Sequence, residues 1–140
     1  MKLDHKDHLI IKVLRDNSRS SVRDIARSTK LRPSTVHQRL IRLQKNDIIE
    51  KFTLKLNNKA IGENFIVFVL ITTSKDIDNK VFTDEHIKEA FGVTGEYDLL
   101  LKLKFRDVEE FNDFIINFRK NNNLRKTLTM VVTTNIKEVV

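Results

Sequence analysis

Ser21–Asn46, SVRDIARSTKLRPSTVHQRLIRLQKN, is the stretch on which the fold turns. It reads as two helices joined by a tight connection. Ser21 is an N-cap residue, and Asp24 three positions later completes a capping-box pattern. Ile25 and Ala26 face inward. Lys30-Leu31-Arg32 forms the connection. Pro33, the only proline, stands where a helix begins, because its missing N–H costs nothing in the first turn. At steps of about 100° per residue, Val36, Leu40 and Leu43 share one face of a helix from Pro33 to Asn46. Ser34, Gln38, Arg42 and Lys45 share the opposite face, with Thr35 and Arg39 on its flank. Such a helix docks by its apolar stripe and presents a polar, basic surface outward.

Before this stretch, Asp4 caps a first helix in which Ile10, Val13 and Leu14 recur at one-face spacing, and Asn17-Ser18 ends it. Three helices with a short turn between the second and third make a helix-turn-helix. After it, Ile48–Leu56, IIEKFTLKL, alternates Phe52, Leu54 and Leu56 with Lys51, Thr53 and Lys55, a strand signature. Asn57–Gly62 reads as a linker. The division expected is a DNA-binding domain over 1–56, a linker over 57–63 and a second domain over 64–140.

The second domain opens with Asn64–Thr73, whose FIVFVLI is apolar on both faces and suits a buried central strand. Ser74–Glu85 is polar, with room for only a short helix. Ile87–Thr94 reads as a strand, Gly95-Glu96-Tyr97 as a turn, and Asp98–Phe105 as a strand with Leu99, Leu101, Leu103 and Phe105 on one face. Asp107 and Glu110 form a capping box for a helix with Val108, Phe111, Phe114, Ile115 and Phe118 inward. Asn121–Asn123 breaks it, and Thr127–Val140 is a long last strand. The class is α+β, and the order β-(short α)-β-β-α-β is close to a ferredoxin-like split βαβ. Helices cover one face of such a sheet. The other face, carrying Ile66, Phe68 and Leu70, needs cover too, since each such side chain is worth roughly 1.5–3 kcal/mol when buried. A patch of that kind marks an interface, so at least a dimer is expected; the alternative is the N-terminal domain folding back.

The formal net charge of +7 is unevenly placed. Residues 1–56 hold 14 Lys and Arg against 6 Asp and Glu, and residues 57–140 hold 12 against 13. The asymmetry is the footprint of a polyanion-binding module; a solubilising surface is the plainer alternative. There is no cysteine, hence no disulfide framework or thiolate site. No apolar run reaches the ~18–20 residues that span a bilayer, and MKLDHKDHLI, with charges through its apolar stretch, is not expected to act as a signal peptide. Cytoplasmic residence is the default.

Of the candidate sites, the third helix is the most specific. Ser34, Thr35 and Gln38 lie at its N-terminal end, where base edges are read, and Gln pairs bidentately with adenine. Arg32, Arg39, Arg42 and Lys45 suit phosphates, and Lys51 is placed to reach the DNA backbone from the following strand. His5 and His8 are spaced for a shared metal ion, but no third ligand accompanies them and surface histidines are the simpler reading. No phosphate-cradling glycine loop or nucleophilic triad is present. No cofactor and no enzymatic role is expected. In Val93–Leu100, VTGEYDLL, Gly95 permits a tight turn or close approach of a ligand, and Thr94 and Asp98 can hold a charged amine; on turn chemistry alone a plain β-turn is the better reading.

Together, L-D-x-x-D at Leu3–Asp7, IARSTKLRPSTV-x-x-RL-x-RL at Ile25–Leu43, Gly62, and VTGEYDLL at Val93–Leu100 resemble the Lrp/AsnC (feast/famine) transcription regulators of prokaryotes and archaea. The resemblance covers nearly the whole chain. It implies a winged helix-turn-helix joined to an αβ-sandwich domain, and dimers that assemble into tetramers or octamers. It also implies an effector, commonly an amino acid, bound near Gly95, Tyr97 and Asp98, with Thr94 beside them and Thr133 on the last strand. Three positions depart from the family pattern: Lys30 stands for a turn glycine, Arg32 for a capping serine, and Ser74–Glu85 is shorter than the family's first sensor-domain helix. Sequence-specific regulation of transcription is the leading expectation. Architectural DNA binding without an effector is the second, and a tetrapyrrole decarboxylase-like relative the third.

Overall fold

The structure, a computed structural model, describes residues 2–140. The chain divides into two compact units, one running through Lys55 and the other from Leu56 to Val139.

The first unit is three helices, α1 His5–Asp16, α2 Val22–Thr29 and α3 Pro33–Lys45. Two capping boxes set where they start. Asp4 accepts from the Asp7 N–H while Asp7 returns the bond to the Asp4 N–H, and Ser21 and Asp24 do the same for α2. The core is Ile10 of α1, Ile25 and Ala26 of α2, and Val36 and Leu43 of α3, all buried. Leu14, Leu31, Leu40 and Ile49 pack around it. Truncating Leu43 here would cost about 2–5 kcal/mol, the lost transfer energy plus a cavity.

The strand expected over Ile48–Leu56 does not form: residues 46–49 are turn and bend, and residues 50–57 carry no regular structure. Alternation gives a segment two faces, but a strand also needs a neighbour to accept its backbone hydrogen bonds. No strand pairs with these residues among those described. Phe52, Leu54 and Leu56 are exposed, and Ser18 Oγ donates to the Thr53 carbonyl at 3.1 Å.

The second unit is a four-stranded antiparallel sheet in the order β2-β3-β1-β4, from β1 Phe65–Thr73, β2 Ile87–Gly92, β3 Leu99–Phe105 and β4 Leu124–Val131, with α4 at Val108–Asn122. Val67, Val69 and Ile71 of β1 lie opposite Leu103, Leu101 and Leu99 of β3. Phe111, Ile115 and Phe118 of α4 close over that face. The Ser74–Glu85 crossover contains only a 3₁₀ turn, Asn79–Thr83, and supplies Ile77, Val81 and Phe82 to the core.

Three local readings need correction. Val108 was expected inward but is exposed, at the first position of α4. Asp107 accepts from the Glu110 N–H, but Glu110 reaches the N–H of Arg106 rather than that of Asp107. The last strand stops at Val131. Beyond it Val132 still donates to the Ile66 carbonyl, and Glu138 bonds Lys102, Lys104 and Asn58. The chain there returns over the face of the sheet that α4 leaves open, and Ile66 is buried beneath. Across the rest of that face lie Phe68, Leu70 and Leu100, half-buried, and Phe91, Leu128 and Met130, exposed.

Candidate nucleic-acid interface and effector turn

The turn before α3 does without glycine. Lys30 takes the left-handed conformation, φ 57° and ψ 25°, which a side chain resists by about 1–2 kcal/mol. Arg32 occupies the N-cap of α3 and makes no side-chain capping bond, while Pro33 sits in the first turn. The helix N-terminus therefore keeps N–H groups free to meet an anion.

Ser34, Gln38 and Lys45 project into solvent, Thr35 is half-buried beside them, and Arg32 is exposed before them. Lys51, also exposed, lies in the irregular segment after the helix. The outward face also carries two side chains that the charge pattern passes over, His37 and Ile41, the latter 52% exposed. An exposed isoleucine on an otherwise polar helix face is the signal that was available.

Arg39 and Arg42 are occupied within the chain. Arg39 Nη1 donates to Asp4 Oδ1 at 2.5 Å and to Asp7 Oδ1 at 2.9 Å. Arg42 Nη2 bridges both Asp7 oxygens, at 2.9 and 2.8 Å. Asp7 is fully buried, the one buried charged side chain among the described residues. Its burial raises the carboxyl's pKa, but the Asp4 N–H and the two guanidinium groups outweigh that and hold it below 3.8. Asp4, half-exposed, is held well below the usual carboxylate range, chiefly by the Arg39 hydrogen bond. Two carboxylates of α1 thus tie down the flank of α3.

The second candidate region is the β2–β3 turn. Val93 donates to the Asp98 carbonyl at 2.9 Å, and Asp98 donates to the Ile71 carbonyl at 2.8 Å. Thr72 Oγ1 reaches the Glu96 carbonyl at 3.0 Å. Gly95 has φ +124°, a conformation side chains rarely adopt. Lys126 lies over the Tyr97 ring, 5.1 Å from its centroid, and pairs with Glu96. Thr94, Gly95 and Asp98 are exposed and Tyr97 half-buried. Thr133 is not part of this group. It follows Val132, which is bonded to Ile66 near the start of β1, whereas the turn is bonded to Ile71 near its end. At about 3.3 Å per residue the two lie most of a strand length apart within one chain.

Among the described residues no cluster of three His, Cys, Asp or Glu could hold a metal ion, and no helix is long and apolar enough to cross a membrane.

Two family models match. A winged helix-turn-helix DNA-binding model covers residues 3–50, and the Lrp/AsnC ligand binding domain covers residues 66–139. The chain belongs to the Lrp/AsnC family. The HTH-type transcriptional regulator FL11 of Pyrococcus furiosus is 32% identical over 134 residues, 93% of this chain and 89% of its own length. An uncharacterised HTH-type transcriptional regulator of Pyrococcus horikoshii is 32% identical over 142 residues, 99% and 96% of the two chains. Among solved structures, LrpC of B. subtilis is 31% identical with a TM-score of 0.84, covering 98% of this chain and 99% of its own. A Neisseria meningitidis regulator solved with L-Met has the same fold, with a TM-score of 0.89 at 23% identity over 99% and 94% of the chains. This Lrp/AsnC protein is a helix-turn-helix transcriptional regulator, of α+β class.

Proposed function

We propose that this regulator binds specific DNA sequences as a homodimer or larger assembly, and that an amino acid bound at the 94–98 turn adjusts its occupancy. The observation that carries the DNA reading is the outward face of α3. Ser34, Thr35 and Gln38 stand at its N-terminal end with no capping side chain in front of them, where a major-groove helix reads base edges. Arg32, Lys45 and Lys51 are exposed around it and serve the phosphates. Arg39 and Arg42 act first as the tie between α1 and α3. The reading module is residues 1–56, joined by 57–63 to an assembly and effector domain over 64–140, and the protein works in the cytoplasm. Face-to-face burial of Phe68, Leu70, Leu128 and Met130 would make the dimer.

The effector reading is supported by the exposed Asp98 carboxylate beside a glycine turn, and by the L-Met complex of the Neisseria relative. Thr133 joins such a site only if another subunit brings it there.

Selection of bound sequences from a random DNA pool at physiological salt tests the proposal. Recovery of a palindrome with half-sites about 34–36 Å apart, or a multiple, supports it. Salt-dependent binding without enrichment leaves architectural DNA binding in its place.

A further inference from the structure

We infer that Asp4 sets the affinity of the DNA interface: its carboxylate holds the Arg39 guanidinium within the chain and so withholds one positive charge from the DNA backbone. The inference rests on the DNA-binding reading above.

Four charged groups meet on the flank of α3. Asp4 and Asp7 come from the start of α1, and Arg39 and Arg42 from the middle of α3. Two negative and two positive charges leave the group neutral. The buried Asp7 needs cationic partners, and it has both arginines at 2.8–2.9 Å. Asp4 has no such need. It is about half-exposed, and its capping bond, from the Asp7 N–H at 3.0 Å, would be accepted equally by an Asn or Ser oxygen. What the negative charge of Asp4 adds beyond capping is the half-exposed ion pair that cancels Arg39.

That cancellation acts on one component of binding. Affinity for any duplex scales with the phosphates that cations neutralise, whereas base contacts set preference. A carboxylate at the rim of the reading helix lowers the first and leaves the second intact. Specific and non-specific affinity fall together, and the salt dependence flattens by about one phosphate's worth. The 14 basic residues of the first 56 therefore overstate the charge offered to DNA, because two on α3 are already spent.

The test compares the full-length wild-type protein with Asp4→Asn on a mixed-sequence duplex, by fluorescence anisotropy between about 50 and about 200 mM salt. Asp4→Asn is expected to bind more tightly, with a log K against log salt slope steeper by about 0.9, one phosphate's worth. Adding Arg39→Gln should return the slope to the wild-type value. Asp4→Ser, which keeps a capping oxygen, should behave as Asp4→Asn and guards against a variant-specific folding defect. An unchanged slope in both Asp4 variants, or weaker binding by both, overturns the inference while wild-type binding stands. Failure of the wild-type protein to bind the duplex even at the lowest salt overturns the DNA-binding reading and the inference with it.

Discussion

Thr73 donates its backbone N–H to Asp98 Oδ2 at 2.9 Å. The end of β1 and the start of β3 are therefore joined through the very carboxylate that the effector reading assigns to a ligand amine. One oxygen serves the turn, and the exposed remainder is free to serve a cation. The two duties separate by mutation. Asp98→Asn keeps an acceptor for Thr73 and removes the charge. Amino-acid affinity, measured by calorimetry, should fall by about tenfold or more, as for loss of a charge-assisted bond of roughly 1.5–3 kcal/mol, with the melting temperature nearly unchanged. Equal binding by Asp98→Asn would confine the carboxylate to the turn.

Gln38→Ala should cost about 1–3 kcal/mol at one base position and little elsewhere. Lys45→Ala should weaken every sequence alike and flatten the salt dependence by about one phosphate. Sequence selection on both variants reads the difference, and an exchange of the two behaviours would invert the roles.

Asp7 predicts acid sensitivity of the first unit. Its folded pKa lies below 3.8, so the native state favours the ionised form. The stabilisation is complete above about pH 5 and is lost as the pH falls through 3.8 towards the folded value. Asp7→Asn should be less stable near neutrality, by about 2–3 kcal/mol for lost bonds to charged partners. Its helical melting should also vary less between about pH 4 and pH 2. Circular dichroism melts across that range distinguish the two proteins.

These three predictions separate what could be read along the chain from what could not. Helix starts are legible where the signal lies within a few residues, as in the N-cap Asp4 and the capping box of Ser21 and Asp24. The central position of β1 was legible in FIVFVLI, since apolar residues on both faces demand cover on both. A helical wheel points Arg39 and Arg42 outward, but it shows direction and not company. Their partner Asp7 lies a whole helix-turn-helix away in sequence, and nothing local announces it. The strand expected over Ile48–Leu56 fails to form for a related reason: alternation is local, whereas pairing is not. Thr133 was placed by family position alone, without the register that sets it at the far end of β1.

Lys30→Gly should stabilise the first unit. Glycine removes the left-handed strain of about 1–2 kcal/mol and returns part of it as unfolded-chain entropy, leaving a net gain of about 0.5–1 kcal/mol. Urea denaturation would register this as a higher midpoint with an unchanged slope. A lower midpoint would mean that the Lys30 side chain makes contacts worth more than the strain.

Leu128→Glu tests the open sheet face. Leu128 is 43% exposed in the single chain, so the fold should tolerate the change. A face-to-face dimer would have to bury the charge unpaired, at several kcal/mol. Light scattering should then report monomers. A dimer of unaltered stability would place the interface elsewhere.

The pairing of β1 bears on how the protein is made. Its neighbours β3 and β4 both follow it, and β4 is the last strand, so that Val67 meets Val131 only near the end of the chain. The three helices find their contacts within the first 49 residues. During synthesis, the helix-turn-helix can therefore close while β1, the most apolar segment, still waits for its second neighbour. Exposure of FIVFVLI in that interval is the step at which the nascent chain is most open to aggregation, and a slower ribosome between β1 and β4 would lengthen it.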